Sequence, residues 1–215
     1  MGKVVVDISM SLDGFVAGPD PRLEDPLGRG GERLHEWALG LESFRTRHGR
    51  EGGERGTDSD VLAEASEHIG ATIMGRRMFS GGFGPGPWED DPNPDGWWGE
   101  EPPFRVPVFV LTHHARETVE MRGGTSFIFV TDGFESALEE ARAAAEGQDI
   151  SIAGGAEAIQ EALAAGCVDE IQVHIAPLLL GGGTPLFGDG QLKQLEPIRV
   201  IDSPAVTHVK YRVRT

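Results

Sequence analysis

The chain has 215 residues, of which 39% are hydrophobic and 25% are charged, enough for a soluble α/β core that needs no disulfide scaffold. Its 19 basic and 35 acidic residues give a formal net charge of −16, which argues against a nucleic-acid or anionic-membrane surface. The single cysteine, Cys167, excludes an internal disulfide and a cysteine-based zinc cluster, and the lack of a long apolar run predicts a cytoplasmic protein without a membrane span.

The first half of the chain alternates between predicted strands and helices. Apolar residues at every second position predict a first strand over 4–10, which ends in a turn at Asp13. Helical spacing of apolar residues predicts one amphipathic helix over 32–47 and a second, with an acidic and hydroxyl cap, over 58–68. The short apolar run 71–74 predicts a buried strand.

The second half continues this alternation after an irregular segment. Residues 81–105 are rich in glycine and proline and include Trp88, Trp97 and Trp98, which predicts a long surface excursion. Further strands and helices are predicted over 106–111, 127–130, 134–145, 150–153, 156–165 and 171–180. Alternating apolar and basic residues predict a closing, edge-like strand over 209–213. We therefore predict a single three-layer αβα domain over 1–215.

Two glycines follow one of these strands directly and lead into a helix. Gly154 and Gly155 leave the backbone accessible, and the N–H groups at the start of a helix favour a phosphate. The alternative is a tight turn that needs glycine. The dinucleotide fingerprint G-x-G-x-x-G is absent from the sequence, so the glycine pair alone does not identify a nucleotide site.

Basic residues follow two other strands. Gly75-Arg76-Arg77 places two guanidinium groups at a strand end, and guanidinium groups match phosphate oxygens. A second set, Thr112-His113-His114, suits a phosphate or a ribose. Adjacent histidines point to opposite sides of an extended chain, which argues against a metal site built from this pair. The alternative for the arginines is a solvated basic pair.

The remaining candidates are a glycine loop and two acids. The triple glycine at 181–183 permits close approach to a ligand, although a glycine hairpin is the alternative. Asp13 and Glu36 could face a cleft, or could serve as a turn former and a solvated helix residue. The nucleophile motif G-x-S-x-G is missing, so a hydrolase has little support.

The order of these motifs is more specific than any one of them. The chain carries Ser9-Met10-Ser11-Leu12-Asp13-Gly14, Met74-Gly75-Arg76-Arg77, Leu111-Thr112-His113, Ala153-Gly154-Gly155-Ala156 and Leu178-Leu179-Leu180-Gly181-Gly182-Gly183-Thr184-Pro185-Leu186-Phe187. Over about residues 3–214 this order resembles the dihydrofolate-reductase-like fold. It is most similar to stand-alone relatives of the reductase domain of bifunctional riboflavin-biosynthesis deaminase-reductases. One cysteine cannot supply the His/Cys/Cys zinc ligands of the deaminase half.

The resemblance implies a mixed, mostly parallel twisted sheet flanked by helices, with NADPH bound along the strand ends. It implies that the pyrophosphate and the adenosine 2′-phosphate meet Gly75, Arg76, Arg77, Thr112, His113 and His114. It assigns the diphosphate and nicotinamide side to Gly154, Gly155, Ala156 and Glu157, with a cis peptide between the two glycines. It places the substrate pocket beside Asp13, Phe15, Gly182 and Gly183. Glu36 is the nearest match to the acid that grips the pterin in folate reductases.

The activity that follows is hydride transfer from NADPH to a C=N or C=O carbon of a small pyrimidine-, pterin- or flavin-like substrate. A bound water, Asp13 or Glu36 would supply the proton. The alternative is a nucleotide- or flavin-binding protein without turnover. The tryptophan excursion is expected either to cover the cleft or to pack on the protein surface or a second subunit. A homodimer is expected, with a small-molecule substrate and with neither nucleic acid nor membrane as a partner.

Overall fold

The computed structural model describes residues 2–22, 24–82, 86–188 and 193–214. Its strands are β1 (Val4–Ser11), β2 (Phe15–Ala17), β3 (Ile69–Gly75), β4 (Pro107–Leu111), β5 (Val119–Glu120), β6 (Ser126–Val130), β7 (Asp149–Gly154), β8 (Glu170–Ala176), β9 (Thr184–Pro185), β10 (Gln194–Asp202) and β11 (Thr207–Arg214). Its α-helices are α1 (Glu36–Leu39), α2 (Glu42–Arg47), α3 (Thr57–Glu64), α4 (Arg76–Phe79), α5 (Phe134–Ala144) and α6 (Ala156–Ala164). None of these helices, taken over the described ranges, is long and apolar enough to cross a membrane.

Nine of the strands form one mixed sheet in the order β10-β11-β8-β1-β7-β3-β4-β6-β5. The six strands from β8 to β6 in this order are mutually parallel, and β11, β10 and β5 join in antiparallel pairs. The short strands β2 and β9 pair separately. The predicted α/β class with a mostly parallel sheet is therefore confirmed. The carboxyl ends of the parallel strands share one edge, which is where α/β sheets bind ligands.

One face of the sheet is apolar because strand side chains alternate between the two faces. The inward residues of the central strands are fully buried against α5 and α6; they include Val4, Val6, Ala71, Ile73, Ile150, Ile152, Ile171 and Val173. The helices contribute small or branched residues to the same core, among them Ala137, Ala141, Ile159 and Ala162. This close packing fixes the positions of the strand ends.

The opposite face of the sheet centre is polar and lies under α1, α2 and α3. It carries the intervening residues of the same strands, which we call the polar face: Asp7, Ser9, Thr72, Ser151, Gln172, His174 and His208. Trp37 of α1 donates from its indole N–H to Ser9 Oγ at 3.0 Å. Burying so many polar groups is favourable only when each finds a partner, so this face is built for hydrogen bonding.

Two tryptophans of the excursion pack on the chain itself. Trp88 and Trp98 join a second apolar cluster with Phe79 and Phe127 beside β4 and β6. Trp88 meets Phe79 edge-on, with ring centroids 6.0 Å apart. Trp97 is 44% exposed. Of the roles predicted for the excursion, packing on the protein surface is thus observed for Trp88 and Trp98.

Two predicted helices differ from the structure. The single helix predicted over 32–47 is wrong: this stretch forms a 3₁₀ turn followed by α1 and α2, with a break at Gly40. Glycine lowers helix propensity by about 1 kcal/mol relative to alanine, which favours a break at that point. The helix predicted over 58–68 begins one residue earlier and ends at Glu64, four residues before His68.

Two predicted strands also differ. The strand predicted over 171–180, with an interruption at Pro177, instead ends at Ala176, because Pro177 has no N–H to donate to the sheet. The closing strand is not an edge strand: β11 lies between β8 and β10, and Lys210 pairs with Glu170 at 3.2 Å. The prediction missed β10 because an irregularity between Pro197 and Arg199 interrupts its alternation.

Candidate functional site

Four of the sequence motifs meet at the carboxyl edge of the parallel strands. The turns after β1, β7, β3 and β4 lie side by side, since these strands are consecutive in the sheet. They carry Asp13, the Gly154–Gly155 pair, Arg76 and Arg77, and the Thr112–His114 segment. The sheet thus brings together motifs that are far apart in the sequence.

The Gly154–Gly155 turn offers an open backbone surface. Its peptide bond is cis, as the resemblance implies. A Cβ added to Gly155 would meet nothing within 4 Å, and α6 begins at the next residue, Ala156. The first N–H groups of an α-helix have no partner within the helix, so this turn presents donors to an anion. A diphosphate fits both properties.

Arg77 stands beside this turn. Its side chain is 61% exposed, and its guanidinium lies 3.6 Å from the carboxylate of Glu157, whose side chain is 77% exposed. An ion pair this exposed contributes little free energy. The Arg77 guanidinium can therefore turn toward an anion at low cost.

Arg76 is held inside the protein. Its side chain is 6% exposed, pairs with the buried carboxylate of Asp91 and donates from Nε to Ser80 Oγ at 3.0 Å. Its guanidinium carbon lies 3.1 Å from the centre of the Trp88 ring. Nη1 is buried without a hydrogen-bond partner among the described residues. Arg76 thus ties the excursion to β3.

The Thr112–His114 turn is braced by the excursion. The His114 N–H donates to Thr112 Oγ1 at 3.2 Å, and the Trp88 indole donates to the His114 carbonyl at 2.9 Å. The side chain of His113 is exposed at the strand edge. Arg116 also bonds to the excursion, with its guanidinium 2.5 Å from Asp95. Of this turn, His113 presents the side chain most accessible to a ligand.

Asp13 holds the glycine loop. Its carboxylate accepts the N–H groups of Leu180 and Gly181 at 3.1 and 2.7 Å. The Ser11 hydroxyl and these backbone donors lower the pKa of Asp13. An ionised carboxylate only accepts hydrogen bonds, so the structure places Asp13 as an acceptor at neutral pH.

The other residues predicted for the substrate pocket surround the same loop. Phe15 opens β2, which pairs with β9 beyond the glycines. A Cβ on Gly183 would lie 2.0 Å from the Ala17 carbonyl, so Gly183 permits the loop to approach β2. A Cβ on Gly182 would meet nothing within 4 Å. Glu36 lies apart from them, exposed in the first turn of α1.

A cleft of about 740 Å³ opens over the polar face, between the sheet, α2, α3 and the segment 98–106. Its lining combines charged, polar and aromatic side chains, including Asp7, His35, Arg47, Ser151, Trp98 and Phe104. Met78 and Ala153 also line it, and the Met78 sulfur lies 3.2 Å from the position of a Cβ on Gly154. The cleft therefore reaches the glycine turn.

Two charged residues of the cleft, Asp7 and Arg47, were missed by sequence reasoning. The Asp7 oxygens lie 3.1 Å from His174 Nε2 and 2.8 Å from Gln172 Nε2. Burial raises the pKa of Asp7, but the charge and hydrogen bond of His174 outweigh it, and the pKa is lowered. Burial lowers the pKa of Arg47, which still keeps its charge at neutral pH. The alternation of polar and apolar residues in β1 was the available signal for Asp7.

Known proteins share this fold. A family model described as the RibD C-terminal domain matches residues 2–209. YyaP of Bacillus subtilis (strain 168), an uncharacterized protein, is 23% identical over 214 residues, covering 94% of this chain and 87% of YyaP. A Shewanella sp. PV-4 protein named for riboflavin biosynthesis superposes with a TM-score of 0.64 at 21% identity over all of both chains. The Saccharomyces cerevisiae riboflavin biosynthesis reductase Rib7 gives 0.53 at 14% identity, covering all of this chain and 90% of Rib7.

Proposed function

Because this chain belongs to the RibD C-terminal domain family, we propose that it is an NADPH-dependent reductase of a small heterocyclic substrate. The observation that carries the proposal is that the Gly154–Gly155 turn and the cleft adjoin each other. The open glycine turn suits a nucleotide diphosphate, and the cleft that reaches it suits a flat polar ring. A reductase needs both in contact, since hydride transfer requires the two reacting carbons to be close.

The cofactor site follows from the strand-end turns. Gly154, Gly155 and the first N–H groups of α6 would hold the diphosphate. The exposed guanidinium of Arg77, with the side chain of His113, would take the 2′-phosphate. When bound, NADPH supplies a hydride to an electrophilic carbon. The chain's own part is to hold the two rings against each other and to exclude water from the cleft.

The substrate site follows from the cleft. Trp98 and Phe104 offer aromatic surface for a planar ring, and their rings pack at a centroid distance of 4.9 Å. Arg47 donates from Nε to the Pro103 carbonyl at 3.1 Å, which fixes its guanidinium in the cleft wall. Asp13 and the 181–183 loop would close the edge of the site near the strand ends. This lining supports a pyrimidine- or pterin-like substrate.

A titration and a turnover assay test the proposal. NADPH should quench the intrinsic tryptophan fluorescence, since Trp97 and Trp98 lie beside Met78 at the junction of turn and cleft. A panel of pyrimidine, pterin and flavin acceptors should then include one that consumes the nicotinamide absorbance. Quenching with no turnover across the panel would instead identify a nucleotide-binding protein. No quenching at millimolar NADPH would overturn the cofactor assignment.

Replacing Arg77 with alanine should raise the Kd for NADPH about tenfold and leave the Kd for NADH unchanged, because a charge-assisted bond to the 2′-phosphate is lost. Fluorescence titration with both cofactors measures this. The matched control is Arg122→Ala, which removes an arginine that is 78% exposed and paired with Glu100 at 2.8 Å. Equal losses for the two cofactors in Arg77→Ala would reject the 2′-phosphate contact.

A further inference from the structure

Four side chains form a continuous hydrogen-bonded chain under the cleft. Asp58 Oδ1 lies 3.0 Å from His208 Nε2, the two Nδ1 atoms of His208 and His174 are 2.6 Å apart, and His174 Nε2 lies 3.1 Å from Asp7 Oδ1. Both histidines are buried, with side chains 2% and 1% exposed. We call these four residues the relay. It links α3, β11, β8 and β1 and ends at the cleft.

Counting hydrogens determines the protonation of the relay. Ionised carboxylates only accept, so the Nε2 atom of each ring donates to its aspartate. Two bare Nδ1 lone pairs 2.6 Å apart would repel, so one further hydrogen lies between them. The two rings therefore share a single positive charge between two negative ones. Burial lowers the pKa of His208, and the charge on His174 adds to this, which opposes a second proton.

The relay has three neighbours: Trp37, Ser203 and His35, whose pKa is lowered by burial and by the charge of His174. Trp37 packs on both imidazoles, with ring centroids 4.7 Å from His174 and 5.2 Å from His208. Ser203 donates to the second oxygen of Asp58 at 3.0 Å. These contacts fix the ring orientations.

At the cleft end, Asp7 faces two more groups, Gln172 and Arg47. Gln172 donates to its second oxygen, and Arg199 of β10 donates to the Gln172 carbonyl at 3.3 Å. The guanidinium of Arg47, at the end of α2, attracts the negative charge of Asp7. The Asp7 side chain is 22% exposed, so part of it remains open to a ligand.

We propose that Asp7 anchors the substrate by accepting N–H groups of a planar heterocycle, and that His174, His208 and Asp58 are the positioning residues that hold its carboxylate. This inference rests on the proposed function and names the substrate class of the same cleft. A carboxylate has about four lone-pair sites, and the protein uses one on each oxygen. The remaining sites match a ring N–H with an adjacent amino group, while Arg47 suits a carbonyl or an anionic substituent.

Binding of a small probe to the cofactor-free protein tests the anchor. The probe is 2-amino-4-hydroxypyrimidine, which offers adjacent N–H donors, and binding is followed by chemical-shift changes in NMR spectra. Asp7→Asn should weaken binding at least about tenfold, because a charged acceptor is lost. The wild-type protein should bind the ring-N-methylated probe more weakly than the unmethylated probe, by a similar factor. This second comparison keeps the test valid if Asp7→Asn fails to fold. Unchanged binding in either arm would overturn the anchor.

The positioning role has a separate readout in the ring-nitrogen NMR signals of His174 and His208. At neutral pH both Nε2 atoms should be protonated and both Nδ1 atoms should share one hydrogen. A second positive charge on the pair is opposed, because burial and the charge of His174 lower the pKa of His208. Asp58→Asn removes a stabilising negative charge. The shared proton and probe binding should then both be lost at a lower pH than in the wild type.

Two further variants complete the experiment. Asp58→Glu should restore the wild-type pH profile, and Glu67→Gln, which removes an exposed acid just after α3, should leave it unchanged. A wild-type profile in Asp58→Asn, or two independently titrating histidines, would overturn the positioning role. These readings need neither NADPH nor turnover. Failure of the proposed function, seen as no NADPH oxidation with any acceptor, is therefore distinguishable from failure of the anchor.

Discussion

Replacing Arg76 with alanine is expected to lower the free energy of unfolding by about 3 kcal/mol, because it leaves a buried charge without its partner. The carboxylate of Asp91 is 1% exposed and pairs with the Arg76 guanidinium. The substitution also removes a cation–π contact, since the Arg76 guanidinium carbon lies 3.1 Å from the centre of the Trp88 ring. Urea denaturation followed by tryptophan fluorescence measures the loss, since Trp88 lies in the affected cluster.

The next residue in the chain is the matched control for this experiment. Arg77 has the same side chain but is 61% exposed, so Arg77→Ala should change the free energy of unfolding by no more than about 0.5 kcal/mol. The two arginines are thus expected to divide their effects: Arg76 governs the stability of the excursion, and Arg77 governs the preference for NADPH. Similar free energies of unfolding for the two variants would contradict the buried pair.

Replacing Gly155 with alanine should weaken NADPH binding by about tenfold to a hundredfold while the protein stays folded. Gly155 has φ −59°, which alanine adopts without strain, and its Cβ would enter open space. In the complex, the same space is where the diphosphate would lie, and overpacking of this kind costs about 1–3 kcal/mol. Fluorescence titration with NADPH gives the affinity, and thermal unfolding without cofactor reports the fold.

Gly86→Ala controls for the glycine-to-alanine change itself. A Cβ at Gly86 would also meet nothing within 4 Å, and this residue lies in the excursion rather than at a strand end. We expect both variants to unfold as the wild type does and Gly155→Ala alone to lose cofactor affinity. Wild-type affinity for NADPH in Gly155→Ala would place the diphosphate elsewhere.

The parts of the fold that local signals determine were predictable. Buried strands of β-branched residues that run into glycine, such as β7 into Gly155, are visible in the sequence because both signals are local. The helix over 32–47 was wrong because the apolar spacing continues across Gly40 although the backbone does not. β10 was missed because its alternation is interrupted near Pro197.

The strand-end turns of the site were also predictable, but the cleft chemistry was not. Asp7 and His174 are separated by 167 positions and meet only because β8 pairs beside β1. The role of Arg76 could not be predicted either, because its basic motif suggested a phosphate ligand. Its partner Asp91 comes from an irregular segment without periodic signal, and no local pattern indicates that the two pair.

The two faces of β1 have an evolutionary consequence. Val4 and Val6 belong to the apolar core, whereas Asp7 and Ser9 belong to the polar face. Residues of the two faces alternate along the eight residues of β1. Point substitutions at Asp7 can change the lining of the cleft without opening a cavity among the valines. A deletion of one residue would exchange the two sets at once. The strand can therefore change the chemistry of the cleft wall by substitution, while its length is under strict constraint.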